Sequence, residues 1–390
     1  MAGQSGCNIN CATSVGASLN QRCACEVVDV LRLHESIRAA FSESMSDPAV
    51  HAHLFSRYAL FVDRAALDAM GRVAAALFEV AENPRYRERV LQWAPDIATH
   101  YPGSAGGVLG LDFHLTVDGP RLIEVNTNPG GLLLNAVLLD AVRSCAPAAW
   151  TTWTTATEAH SAAVAAWLDD ARQQSGRAPS RVAIVDSAPR EQFLYPEFEL
   201  YADAFREHGV DCVIRAPEDL RFGPEGLADA DGPIDMVYNR LTDFALEEAS
   251  HADLRQAYLA GDVALTPHPR AHALFADKRN LAVLGDAALL GGFGVDAGLT
   301  ALLAEVIPTT VEVVPGNRDA LWAARNGYFF KPAAGFGSRG SYRGDKLTRR
   351  TWESMASATY IAQAFAPPSM RSVHGGQSLK ADVRCFASEA

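Results

Sequence analysis

The sequence predicts an α/β protein with more than one domain, on three observations. Short apolar runs alternate with helical ones between residues 181 and 270, the rhythm of a parallel, Rossmann-like sheet. The chain has 390 residues, and roughly 150 residues per domain gives two or three domains. Hydrophobic residues make up 48% and charged residues 21%, which excludes a wholly disordered chain.

Residues 1–25 read as a flexible tail. It holds four of the seven cysteines, Cys7, Cys11, Cys23 and Cys25, spaced C-x3-C and C-x-C. That spacing matches no common zinc site. With Cys145, Cys212 and Cys385 the set is odd and scattered, so no disulfide framework is expected. From Glu26 to about Gln92 the pattern is helical. Val27, Val30, Leu31, Leu33, Ile37 and Phe41 recur at helical intervals, and a second helix runs from about Ala65 to Ala81. Gly103–Gly107 is a loop. Val108 to Asn126 reads as two strands about Asp118–Gly119, a strong turn signal. A helix over about Glu158–Gln173 leads into a polar linker, Gln174–Ser180.

Strands are then expected at Val182–Asp186, Val210–Ile214 and Ile234–Tyr238, with a helix over Glu197–His208. A dinucleotide fingerprint would place G-x-G-x-x-G after the first strand. Asp186-Ser-Ala-Pro-Arg-Glu191 stands there instead, so a nicotinamide enzyme is excluded. The last block, from about Pro269, opens with a helix carrying Asp277-Lys278-Arg279. It closes with strands around Tyr328–Pro332, Tyr360–Phe365 and Leu379–Phe386. The expected units are therefore 1–25, 26–150, 151–180, 181–270 and 271–390.

Charge narrows the function. Lys plus Arg is 34 and Asp plus Glu is 46, a formal net charge of −12. That balance disfavours binding nucleic acid or anionic membrane over the whole surface. The most apolar run, Gly130–Val142, is broken by Asn135 and Asp140, short of the ~18 residues a membrane helix needs. No basic residue precedes Arg22 and no apolar signal region is present, so the cytoplasm is the expected location.

One basic site stands out. From Gly327 to Arg350 there are six Lys/Arg and one acid, a net of +5. An aromatic strand delivers Lys331 to a loop with Gly335, Gly337, Gly340 and Gly344. Such glycines let backbone N–H groups close on an anion, and the lysine adds a point charge for phosphate. The loop is not a Walker A motif, which needs G-x4-G-K-[ST].

An acidic constellation spans Leu111 to Gly131. Glu124 and Asn126, two apart on a strand, share a face. Asp112 joins them if the hairpin loop is Asp118–Gly119–Pro120, which sets Asp112 opposite Asn126. A two-residue loop would turn Asp112 away and put Pro120 into the ladder. Three oxygen ligands of this kind suit Mg²⁺, which takes its remaining ligands from water and phosphates. Smaller features are His114, read as structural; Asp277–Lys278, read as a helix-surface ion pair; and Asp382 with Arg384, read as a cross-strand ion pair or a phosphate-reaching arginine.

Together these motifs resemble the ATP-grasp superfamily of carboxylate–amine ligases. Lys331-Pro332 with its glycine loop resembles the nucleotide lid. Asp112 with Glu124-Val-Asn126-Thr-Asn-Pro-Gly resembles the metal strand pair of D-alanine–D-alanine ligases and glutathione synthetases. Asp277-Lys278 resembles the entry to the ATP lobe, and Tyr360–Phe365 the strand leading to the adenine hinge. The metal strands come first here and the lid follows the Rossmann-like segment, so the order is that of a circularly permuted ATP-grasp protein. The resemblance implies two α+β lobes around a nucleotide, with a Rossmann-like pre-ATP-grasp domain at 181–270. The metal and substrate lobe would lie in 26–150, and the lid lobe and start of the second lobe in 271–390.

It also implies roles. Lys278 and Lys331 would contact ATP phosphates, and the loop with Gly335, Gly337, Ser338 and Gly340 would close over them. Gln363, Ala364 and Phe365 would line the adenine pocket, mainly through backbone groups. Asp112, Glu124 and Asn126 would bind Mg²⁺. Arg384, with Lys331, would act on the transferring phosphate. Backbone N–H groups at Pro129, Gly130 and Gly131 would face the acceptor. The implied activity is ATP- and Mg²⁺-dependent joining of a small-molecule carboxylate to an amine through an acyl-phosphate. The alternatives are a nucleotide-binding module without ligase activity and a small-molecule kinase. A homodimer stays open, dimers being common in that family.

Two positions depart from the pattern. Those ligases often carry an arginine two residues before the metal aspartate, where this chain has Gly110. No clear acid stands beside Gln363 to meet the ribose. The chain also ends just after Asp382-Val-Arg384. Either the sequence stops short of the next strand or its N-terminal segment completes the sheet.

Overall fold

The computed structural model describes residues 16–22, 28–41, 52–143, 155–335, 337 and 339–389. Cys7, Cys11, Cys23, Cys25, Cys145 and Ser338 lie outside them. In chain order the strands are β1 Val108–Thr116, β2 Gly119–Asn126, β3 Arg181–Val185, β4 Asp211–Arg215, β5 Arg221–Gly223, β6 Gly226–Asp229, β7 Gly232–Pro233 and β8 Met236–Asn239. They continue with β9 Ala264–Thr266, β10 Thr310–Glu312, β11 Tyr328–Pro332, β12 Tyr342–Arg343, β13 Tyr360–Ala364, β14 Ser369–Ser372, β15 Ser378–Ala381 and β16 Val383–Ser388.

The predicted alternation at 181–270 forms a parallel sheet in the order β4-β3-β8-β9. Its strands read as continuous apolar runs because both faces are buried. Val182 and Ile184 pack under the helices Ala156–Ser175 and Tyr195–Glu207. Ala183 and Val185 pack under Ala252–Ala260. The helix Ala156–Ser175 starts at a capping box, Thr155 with Glu158, and stops at left-handed Gly176.

The second sheet, β16-β1-β2, is antiparallel. One face packs on the helices Arg64–Glu82 and Ala297–Val306. The third, β10-β13-β11-β12, covers its own core around Phe330 and Trp352. The small sheets β5-β6-β7 and β14-β15 complete the strands. Among the described residues no helix is long and apolar enough to cross a membrane.

Two expectations change. Gly16–Arg22, placed in the tail, forms a helix whose Leu19 is buried and whose Asn20 side chain bonds both the N–H and the carbonyl of Phe61. The run Leu379–Phe386 is two strands, broken at Asp382, because β15 pairs with β14 while β16 pairs with β1.

Candidate active site

Alternation along β1 decides which side chains reach the cleft. Leu109, Leu111 and Phe113 enter the core, so Asp112 and His114 face the other way. β2 cannot follow the same rule unaided. Leu122 lies in that core and Glu124 lines the cleft, yet residues two apart on a regular strand share a face. The ladder resolves this with a bulge. Phe113 pairs with Leu122 and Asp112 with Glu124, which leaves Ile123 as the extra residue.

The turn is therefore Val117–Asp118 rather than Asp118–Gly119–Pro120, and Asp112 lies opposite Glu124 rather than Asn126. Pro120 sits in the ladder without penalty. Its partner Leu115 sends its N–H away from β2, to Ser369 Oγ at 2.8 Å, so this pair exchanges no hydrogen bond. The three residues still converge, because Asn126 Nδ2 donates to Asp112 Oδ2 at 3.1 Å.

β16 brings Arg384 opposite Asp112. Its Nε is 2.6 Å from Oδ1 and its Nη2 2.7 Å from Oδ2, a two-pronged charge-assisted contact. That contact raises the guanidinium pKa further, against the opposing effect of burial. Nη1 reaches the Gly130 carbonyl at 3.1 Å. A Cβ on Gly110 would stand 2.6 Å from Pro129 Cβ and 3.2 Å from Arg384 Cδ. The space beside Gly110 is thus filled by Pro129 and by Arg384 from another strand. On the same face His114 bridges the Ala366 carbonyl, 2.8 Å from Nδ1, and Asp382, 2.9 Å from Nε2. The latter bond holds the Asp382 carboxyl below the usual carboxylate range. Asp382 and Arg384, read together as a cross-strand ion pair or a phosphate-reaching arginine, thus take separate partners, His114 and Asp112.

Two buried lysines complete the cleft. Lys278 Nζ lies 3.1 Å from Glu124 Oε1 and 2.9 Å from the Gly335 carbonyl. The expected surface pair Asp277–Lys278 does not form. Both residues are buried between helices, and Asp277 binds Arg279 at 2.6 Å. Lys331 Nζ donates to the Ile123 carbonyl at 2.7 Å and to Gln363 Oε1 at 2.9 Å. Burial pushes its pKa down to about 8, offset in part by Glu124.

These residues line one cleft of about 460 Å³, with Gly335, Gly337, Ala364 and Phe365. Other expected residues are committed elsewhere. The Ala364 and Phe365 N–H groups are taken by the Thr309 and Gly327 carbonyls, at 2.7 and 2.8 Å. The Gly340 carbonyl accepts from Tyr360 Oη at 3.0 Å. The Gly131 N–H, expected to face a substrate, donates to buried Glu197 at 2.7 Å, and Pro129 has no N–H to offer. Arg343, Arg339 and Lys380 also line the cleft, with Arg343 over the Phe365 ring at 4.5 Å. The +5 balance was the signal for the first two. Nothing in the local sequence pointed to Lys380.

The donor set fits Mg²⁺. Asp112 and Glu124 offer hard carboxylate oxygens and Asn126 an amide on one sheet face. Among the described residues no group of three or more His, Cys, Asp or Glu could hold a metal by itself.

No protein-family model and no curated protein matches the chain. Among solved structures it is similar to a candidate γ-glutamylcysteine synthetase from Methylobacillus flagellatus, with TM-score 0.40 and 12% identity over 77% of this chain and 76% of that one. It is similar to D-alanyl-alanine synthetase A from Vibrio cholerae, with TM-score 0.27 and 13% identity over 52% and 65%. It is also similar to the ATP-grasp ligase PsnB complexed with a minimal precursor, with TM-score 0.29 and 16% identity over 54% and 77%. Likeness at this level says nothing of substrate.

Proposed function

We propose that the chain is an ATP-dependent ligase that joins a carboxylate to an amine, with release of ADP and phosphate. One observation carries the reading. Lys278, Lys331, Gly335, Asp112, Glu124 and Arg384, scattered from residue 112 to 384, meet in one cleft with cations against carboxylates. A polyanion accompanied by a cation fits such a site, since each charge already present finds a partner in the ligand.

Lys278 and Lys331 would bind the phosphates, and Lys331 would be drawn towards its charged form by them. Arg384 would neutralise charge at the transferring group while staying anchored by Asp112. The backbone around Gly335 and Gly337 would close over the nucleotide and exclude water. Asp112, Glu124 and Asn126 would hold Mg²⁺, which when bound supplies charge neutralisation on the phosphates. The pairing of β16 with β1 supports the same reading, because it sets Arg384 opposite Asp112.

The test is phosphate release from Mg²⁺-ATP with pooled amino acids, small peptides and polyamines. Release that depends on a particular pool and vanishes in Glu124→Ala is expected. No release with any pool, alongside full nucleotide binding, would leave a binding module in place of a ligase.

A further inference from the structure

A second cavity of about 410 Å³ adjoins the cleft and shares Glu124, Asn126, Lys278, Gly335 and Gly337 with it. Its far wall is the carboxyl end of the parallel sheet. Asp186 follows β3 and Arg240 follows β8, the edge where open parallel sheets place their ligands.

Both charges are buried, and among the described residues neither forms an ion pair. Arg240 is 8% exposed. Its Nη1 donates to neutral acceptors: Asn128 Oδ1, the Pro129 carbonyl and Tyr238 Oη. Its Nε is buried without a hydrogen-bond partner. Glu197, the acid nearby, spends its oxygens on the Gly131 and Leu133 N–H groups, at 2.7 and 3.0 Å. Asp186 is 9% exposed and accepts from the N–H of Ser187 at 2.8 Å. Arg240 feels Glu197 and Asp186 only across space, and a buried charge without a directly bonded counter-charge is costly. Two of opposite sign on one cavity wall suit a ligand that carries both complements. Leu194, Phe198 and Phe244, the last stacked on His272 at 3.7 Å, form an apolar patch beside the polar side chains of Thr127, Asn128, Gln192 and Thr242.

We propose that this cavity binds a free amino acid, with its carboxylate on Arg240, its ammonium on Asp186 and its side chain against Leu194, Phe198 and Phe244. Any part this amino acid takes in ligation rests on the ligase reading, whereas the binding does not.

The experiment is thermal unfolding of the full chain with each standard amino acid, in L and D form, and with its N-acetyl and amide derivatives. A parallel series uses Mg²⁺ with a non-hydrolysable ATP analogue. At least one free amino acid should raise Tm saturably by about 2 °C or more. Its N-acetyl form, lacking the ammonium, and its amide, lacking the carboxylate, should not. Asp186→Asn, close to isosteric, should raise the half-saturating concentration at least tenfold and keep the nucleotide-induced shift. The proposal is overturned if no free amino acid shifts Tm, or if blocked forms shift it equally. Unchanged binding by Asp186→Asn overturns it too. An amino-acid shift without a nucleotide shift supports this site and removes the ligase reading; the reverse removes this site alone.

Discussion

In the β16-β1-β2 sheet the cleft-facing charges already have protein partners: Asp112 with Arg384, Glu124 with Lys278, Asp382 with His114. At the carboxyl end of the β4-β3-β8-β9 sheet, Asp186 and Arg240 have no ion-pair partner among the described residues. The first arrangement is closed, and a ligand enters it by exchanging partners. The second is open, and a ligand enters it by supplying what is missing. The two adjoin through Glu124, Asn126 and Lys278, so one molecule spanning both would meet each kind of chemistry.

The sharpest way to break this contrast is Glu124→Gln. If the paired charges do the chemistry, ATP-dependent phosphate release should fall about a hundredfold or more, the scale of losing one stabilising group at a reacting centre. Steady-state assays that find activity within threefold of the parent would leave the paired cluster as scaffold. Gly110→Ala comes next. Its Cβ would crowd Pro129 and the Arg384 side chain. Urea titration should show a loss of about 1–3 kcal/mol, the range for overpacking, together with reduced turnover.

Asp186→Asn tests the open region and should move stability the other way. Burial pushes the Asp186 carboxyl from its ordinary 3.8 up to about 6, with Ser187, Arg240 and His251 opposing. The folded state therefore prefers the protonated form. The charge costs nothing below pH 3.8, costs progressively more between 3.8 and 6, and costs its full amount above that. The variant should melt higher than its parent at pH 7, and the gain should vanish by pH 3.8. A gain that persists there would trace to packing. The smallest effect is expected at Arg349, in an exposed i,i+4 pair with Glu353. Arg349→Ala should shift stability by less than about 0.5 kcal/mol in the same titration.

Much of the cleft was legible before any fold was known. Glu124 and Asn126 interrupt an apolar strand at a spacing of two, and Lys331 enters a glycine loop. Both are local signals that survive folding. The bulge at Ile123 was not legible, because it reconciles two distant demands: the core needs Leu122 and the cleft needs Glu124. Asp277-Lys278-Arg279 looked like a surface cluster because its composition is local. Lys278 instead reaches Glu124, far away in the chain. Asp186 was read only as the place where a glycine was missing, and Arg240 drew no reading at all.

Periodicity and turn chemistry act over a few residues, so the amino acids alone were enough to place three of the four parallel strands, the acidic hairpin and the glycine loop; β9, only three residues long, was missed. Charge pairing acts through space and strengthens where water is excluded. Which acid meets which base therefore depended on how the chain doubles back: β16 laid against β1, Lys278 carried under the loop, and Asp186 and Arg240 left facing a cavity without a direct ion pair among the described residues.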